Sequence, residues 1–270
     1  MNHNRSGLPF ILFTLLFTTS VAAKGPNLVI ILTDDQGYAD VGFNGSPDIL
    51  TPNIDTIAAN GVRFTNGYVS FPVCAPSRAG LLTGRYQGRF GFTTNPTINP
   101  KEERAGIPVE EKNIAEVLGQ VGYTSMIIGK WHMGTHPMHH PLNRGFDEFY
   151  GFLSGGHDYF PESLTLNDLS EVTEKWGWYR TKLIHNRKRV KTDEYLTDEL
   201  SNEAVSFVER HHSDENPFFL YLAYNAPHTP MEATQKYLDR FPSLSGKRKT
   251  YAAMLSAVDD GVGRVLAKLR

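Results

Sequence analysis

Cysteine is almost absent from this chain: Cys74 is the only one among 270 residues. A single thiol cannot close an internal disulfide, so a disulfide framework is excluded. Neither sign of charge is in excess. Lys plus Arg number 27 and Asp plus Glu 29, a formal net charge of −2, which argues against bulk nucleic-acid binding but leaves room for a local anion pocket. Internal repeats and low-complexity tracts are missing. The one membrane-like apolar stretch, Leu8 to Ala23, is short for a bilayer span and contains Pro9 and several threonines. Arg5 before it and Val21-Ala22-Ala23 at its end fit a secretory signal cut after Ala23. No cysteine follows the cut, so a bacterial lipoprotein anchor is excluded. The expectation is a periplasmic or secreted protein without a stable membrane anchor.

What is present is ordinary for a globular protein: 40% apolar and 21% charged residues, enough for one large core rather than disorder. Residues 24–270 are expected to form a single α/β domain. Three apolar runs read as buried strands: Asn27 to Thr33, Tyr123 to Ile128, and Pro217 to Tyr224. Helices are expected over Pro52 to Ala59 with Thr51 as cap, Ser77 to Thr83, Lys112 to Gln120, Leu196 to Arg210 and Thr250 to Arg270. Residues 86–108 and 133–180 lack a clear period and read as loops, the second set able to rim a pocket. Strands alternating with helices predict a mixed, mostly parallel sheet covered on both faces.

The polar residues of interest fall just after strand ends, where open α/β sheets place their sites. Asp34 and Asp35 end the first strand. Two adjacent carboxylates repel in a partly buried site unless a cation neutralises them, and oxygen ligands favour Ca²⁺ or Mg²⁺ over zinc. A solvated pair of loop acids would read the same way. Cys74 before a helix and close to Arg78 is placed for chemical activation, although most free cysteines are only small buried residues. Lys130 and His132 follow the second strand and would combine charge stabilisation with proton transfer near neutral pH. His228 follows the third. His136, His139 and His140 cluster in sequence, but their spacing matches no zinc pattern.

Cys74-Ala75-Pro76-Ser77-Arg78, continuing to Leu82-Thr83-Gly84-Arg85, resembles the signature of the sulfatase family. Gly122 to His132 resembles that family's second signature, and Ala226-Pro227-His228-Thr229-Pro230 a third element. Asn143 to Phe152 is also similar and is expected to serve packing. The resemblance implies an alkaline-phosphatase-like fold. It implies that Cys74 is converted by a formylglycine-generating enzyme to Cα-formylglycine, whose hydrate is the nucleophile. An unmodified thiol would instead yield a thiosulfate-type intermediate with no easy exit. It further implies that Arg78 holds the hydrate, Lys130 binds the sulfate, His132 helps deprotonate the diol and His228 protonates the leaving oxygen. Asp34, Asp35 and the residue-74 oxygen would ligate Ca²⁺, with Mg²⁺ as the alternative. The implied substrate is a sulfated carbohydrate or an aryl sulfate. Phosphoester or phosphonate hydrolysis with the same nucleophile, or anion and glycan binding by a metal-deficient relative, are the competing readings.

One departure stands out. The family's metal site also takes an Asp-Asn pair and a later lysine, and no Asp-Asn dipeptide occurs here. Asp259 and Asp260 lie in the last expected helix and are poor substitutes. The expectation is therefore a sulfatase catalytic domain truncated at its C-terminus, with weak metal binding, little activity and exposed apolar faces.

Overall fold

A computed structural model describes residues 25–270, so the expected signal, residues 1–23, lies outside the described residues. In chain order the elements are β1 (Leu28–Leu32), α1 (Pro52–Asn60), α2 (Cys74–Thr83), α3 (Ile114–Gly119), β2 (Thr124–Lys130), β3 (Glu148–Phe152), β4 (Leu183–His185), β5 (Lys188–Val190), α4 (Leu196–His211), β6 (Phe218–Ala223), α5 (Gln235–Leu238) and α6 (Gly246–Leu269). They build one six-stranded sheet in the order β1-β6-β2-β3-β4-β5. The first four strands of that order run parallel, and β4 and β5 add an antiparallel edge. The mixed, mostly parallel sheet expected from the sequence is therefore present.

Alternation along the central strands splits the core in two. Met126, Ile128, Leu220 and Leu222 face one layer, where α4 and α6 pack. Ile127, Phe219 and Tyr221 face the other, with Ala75, Ala79 and Leu82 of α2. β6 is buried along its whole length, as its run of large apolar residues requires. β1 is an edge strand and only half-buried. Val62, Phe64, Tyr68 and Val69 are exposed apolar side chains on the neighbouring loop. No helix among the described residues is long and apolar enough to cross a membrane.

The structure corrects several details. Residues 133–180 are not all loop, because Glu148 to Phe152 form β3 beside β2. Gly151 makes that approach possible. A Cβ there would stand 2.1 Å from the Gly129 carbonyl oxygen, and one on Gly129 would stand 2.0 Å from that of Ala223. Both glycines have positive φ (152° and 102°). The β4–β5 hairpin was also unforeseen. α6 begins at Gly246, four residues before the expected Thr250, with Arg248 paired to Asp40 and Asp48.

Thr51 occupies the cap position of α1 but does not cap it. Its hydroxyl accepts from the Gly42 N–H at 2.8 Å and donates to Asp55. The helix donors go to Asp259 on α6 instead: Ile54 N–H to Oδ1 at 2.8 Å, with Asn53 N–H and Nδ2 to Oδ2 at 3.3 and 2.9 Å. Asp259 is thus a buried brace between two helices.

Candidate active site

The carboxyl ends of β1, β2 and β6 converge with the start of α2. Asp34 and Asp35, neighbours in sequence, meet different surroundings. Asp34 is buried, and its backbone N–H donates to Ala226 beyond β6 at 3.1 Å. Asp35 turns away through a left-handed φ of 62°, leaving its side chain 68% exposed. Such a conformation in a residue other than glycine is sterically costly and clusters at functional sites.

Lys130, the last residue of β2, is fully buried and donates from Nζ to Asp34 Oδ2. Arg78 lies one helical turn after Cys74 and is likewise buried. Its Nη2 stands 3.5 Å from Asp34 Oδ2, and Nη1 donates to the Lys130 carbonyl at 2.9 Å and to the Tyr221 hydroxyl at 3.4 Å. Burial alone would raise the Asp34 pKa, but Arg78 and Lys130 outweigh it and hold the carboxyl below its ordinary range. Burial likewise opposes the charge on Arg78, yet Tyr221, Asp34 and Cys74 raise its pKa above normal. Lys130 moves the other way. Burial and Arg78 lower its pKa against the attraction of Asp34. The sequence argument asked for an external cation to neutralise the acids. For Asp34 the chain supplies two of its own.

Cys74 opens α2 as a free thiol of intermediate exposure. Asn95, which the sequence reading passed over, holds this end of the helix. Its Oδ1 accepts from the Ala75 N–H at 3.1 Å and from Cys74 Sγ at 3.5 Å. A cavity of about 290 Å³ opens here, walled by Asp34, Asp35, Gln36, Cys74, Ser77 and Arg78 among others.

His132 also takes a positive φ, 59°, and is buried. Burial, then Lys130 and Arg78, push its pKa well below the usual histidine value, so the imidazole is neutral. Its Nδ1 is buried without a hydrogen-bond partner. The loop crosses it closely, because a Cβ on Gly155 would stand 2.6 Å from Nε2. His228 donates from Nδ1 to the Thr229 carbonyl at 2.6 Å, which leaves Nε2 facing Asp35 Oδ2 at 3.8 Å. Beside it, Asn225 is buried with Oδ1 unpartnered.

Asp34, Arg78 and Lys130 are therefore in direct contact, with Cys74 one helical turn from Arg78, His132 buried nearby and His228 facing Asp35. Asp34 and Asp35 are hard oxygen donors and fit Ca²⁺ or Mg²⁺ by type. An ion at Asp34 would compete with Lys130 and Arg78, and no group of three His, Cys, Asp or Glu among the described residues forms a metal cage. The other histidine cluster lies in separate turns: His136 and His140 accept backbone N–H groups through Nδ1, and His139 Nε2 meets the Glu103 carbonyl. Tyr221 and Asn225 carried no site signal in the sequence beyond their place at the end of β6.

Comparison with known proteins bears on the family and the fold. The sulfatase family model matches residues 26–270. The chain is 38% identical over 271 residues to N-acetylgalactosamine-6-sulfatase of Mus musculus, covering 97% of this chain and 50% of that protein. Its fold superposes on the crystal structure of Ps i-CgsB in complex with k-i-k-neocarrahexaose with a TM-score of 0.83 and 48% identity, over 90% of this chain and 55% of that one. PsFucS1 sulfatase from Pseudoalteromonas sp. gives 0.72 and 30%, over 90% and 52%. The chain thus spans about half the length of the relatives it matches, and its architecture is the alkaline-phosphatase-like fold.

Proposed function

The chain belongs to the sulfatase family, and from that premise we propose that the protein hydrolyses sulfate esters of a glycan, using Cys74 matured to formylglycine. The buried Arg78–Asp34–Lys130 cluster, one helical turn from residue 74, carries this reading. It presents two fixed cations to an anion in a water-poor site, where such groups act most strongly. The hydrated aldehyde at position 74 would supply one hydroxyl to attack sulfur and a second whose deprotonation releases sulfate. Arg78, fixed by Tyr221 and the Lys130 carbonyl, orients that position. Lys130 neutralises charge on the sulfate. His132, neutral and with a bare Nδ1, takes the proton of the second hydroxyl. His228 delivers a proton from Nε2 to the departing sugar oxygen while Nδ1 stays tied to Thr229.

Asp34 and Asp35 would hold Ca²⁺, or Mg²⁺ in its place, which would polarise the sulfate oxygens. Residues 1–23 would direct export to the periplasm or the outside, and residues 24–270 belong to the catalytic domain. A sulfatase-maturing enzyme is the required partner. A sulfated-carbohydrate substrate is supported by relatives named for galactosamine 6-sulfate and crystallised with a neocarrahexaose.

The test is to produce the protein with and without a maturing enzyme and to follow sulfate release by ion chromatography. Mass spectrometry of the tryptic peptide Phe64 to Arg78 reads the modification. The matured full-length protein is expected to carry the aldehyde and release sulfate, residues 24–270 alone to release little, and Cys74→Ala in the full-length protein to lose about a thousandfold or more in rate. Persistence of the thiol after co-expression, or faster release of phosphate than sulfate from matched p-nitrophenyl esters, overturns the proposal.

A further inference from the structure

A second cavity, of about 480 Å³, opens beside the residues that follow His228. That is the size of a small-molecule pocket. Thr229 and Pro230, immediately after His228, form one wall, and the segment Glu174 to Arg180 forms the other. Tyr179 also lines it. Burial first, then nearby acids including Asp34 and Asp158, raise the pKa of its hydroxyl, while its ring closes over Gly156. Trp176 is the outer wall. Its indole is 55% exposed, and its backbone sits at a φ of 70°. An exposed tryptophan held in a left-handed conformation is costly twice, in hydration and in backbone strain. Its neighbours fix it: Trp178 at 5.1 Å and Tyr179 at 6.1 Å between ring centroids, and the Lys175 ammonium 5.2 Å over the ring, which a stacking sugar would displace.

The polar lining decides what fits. Asp158 and Glu174 oppose Lys175 and Arg180, two charges against two, so the cavity has no net charge to attract another anion. Arg180 and Glu174 pair with each other. Asp158 is half-buried and carries a raised pKa, first from burial and then from Glu232. Carboxylates and a guanidinium beside a flat aromatic face suit a ring with an apolar face and a rim of hydroxyls.

We propose that this cavity is a subsite for an uncharged pyranose next to the sulfated sugar, with Trp176 stacking on the ring. The protein then reads its substrate as an oligosaccharide. This rests on the sulfatase reading for the identity of the neighbouring site, but its test is a binding measurement. Calorimetry on the full-length protein compares sulfated monosaccharides with the corresponding sulfated tetra- and hexasaccharides, prepared from carrageenan, chondroitin and heparan chains. At least one oligosaccharide should bind tenfold or more tightly than its monosaccharide. Trp176→Ala should reduce that ratio to about threefold or less, whereas Trp176→Phe, which keeps a flat ring, should retain most of it. Circular dichroism confirms that each variant is folded. Cys74→Ala should abolish sulfate release and keep the length ratio, so a failed sulfatase reading and a failed subsite give different results. A wild-type ratio near one across the panel overturns the proposal, and so does a ratio that Trp176→Ala leaves intact.

Discussion

Removing the Asp259 carboxylate should unfold the protein earlier, by an amount that can be worked out. Asp259 is buried on α6 and accepts from two backbone N–H groups of α1 and from Asn53 Nδ2. Losing an N-terminal cap costs about 0.5–2 kcal/mol. Stranding buried donors adds about 1–3 kcal/mol. A total of about 3 kcal/mol is expected for Asp259→Ala, which at about 2–4 °C per kcal/mol for a chain of this size lowers Tm by roughly 6–12 °C. The adjacent acid is the control. Asp260 pairs with Arg240 at 2.7 and 2.8 Å on a partly exposed surface, so Asp260→Ala should cost about 1 kcal/mol or less. Thermal and urea unfolding followed by circular dichroism measure both. Equal shifts for the two variants would refute the assignment of Asp259 as the cap of α1.

Acid should destabilise the fold through His157, which is wholly buried with its pKa pushed down to about 4 by burial, against the pull of the Asp158 and Thr181 carbonyls. The unfolded chain takes up that proton near pH 6.5, so stability falls as pH drops from about 6.5 to about 4, by up to roughly 3 kcal/mol. A flat urea midpoint across that range contradicts the assignment. Lys130→Ala leaves Asp34 with Arg78 alone and should cost about 3–5 kcal/mol, and Asp34→Asn in the same chain should recover part of it. Additive losses in that double-mutant cycle would show that the pair is not coupled. Gly129→Ala should give no soluble folded protein, because the new Cβ meets the Ala223 carbonyl oxygen. Gly119→Ala, with open space around it, should be neutral or stabilising by up to about 1 kcal/mol. Expression and Tm read both.

β1, β2 and β6 were legible because each is a continuous apolar run, and α4 and α6 because each keeps one apolar stripe. β3 was not, since a five-residue segment with a glycine inside looks like a loop. Its strand character comes from Gly129 across the ladder, which no local pattern encodes. β4 and β5 are three residues each, with His185, Lys188 and Arg189 at a solvent edge, so periodicity had nothing to count. The site residues were legible as short motifs at strand ends. What each motif touches was not. Asp34 and Asp35 read as one pair, but the turn at Asp35 sends them to opposite environments. Asn95 holds the start of α2 from 20 positions away, and Asp259 caps a helix from 205 positions away. Contacts of that span leave no local trace.

The strand order also bears on synthesis. β6 lies between β1 and β2, and the Phe218 N–H that opens it donates to Asn27, 191 positions earlier. At about 5–20 residues per second, β1 leaves the ribosome roughly 10–40 s before β6, its one neighbour among the described residues, exists. Through that interval the nascent chain carries two strands that cannot join and a catalytic motif with no pocket to occupy. The described sheet can close only when β6 slides in between β1 and β2 as its keystone.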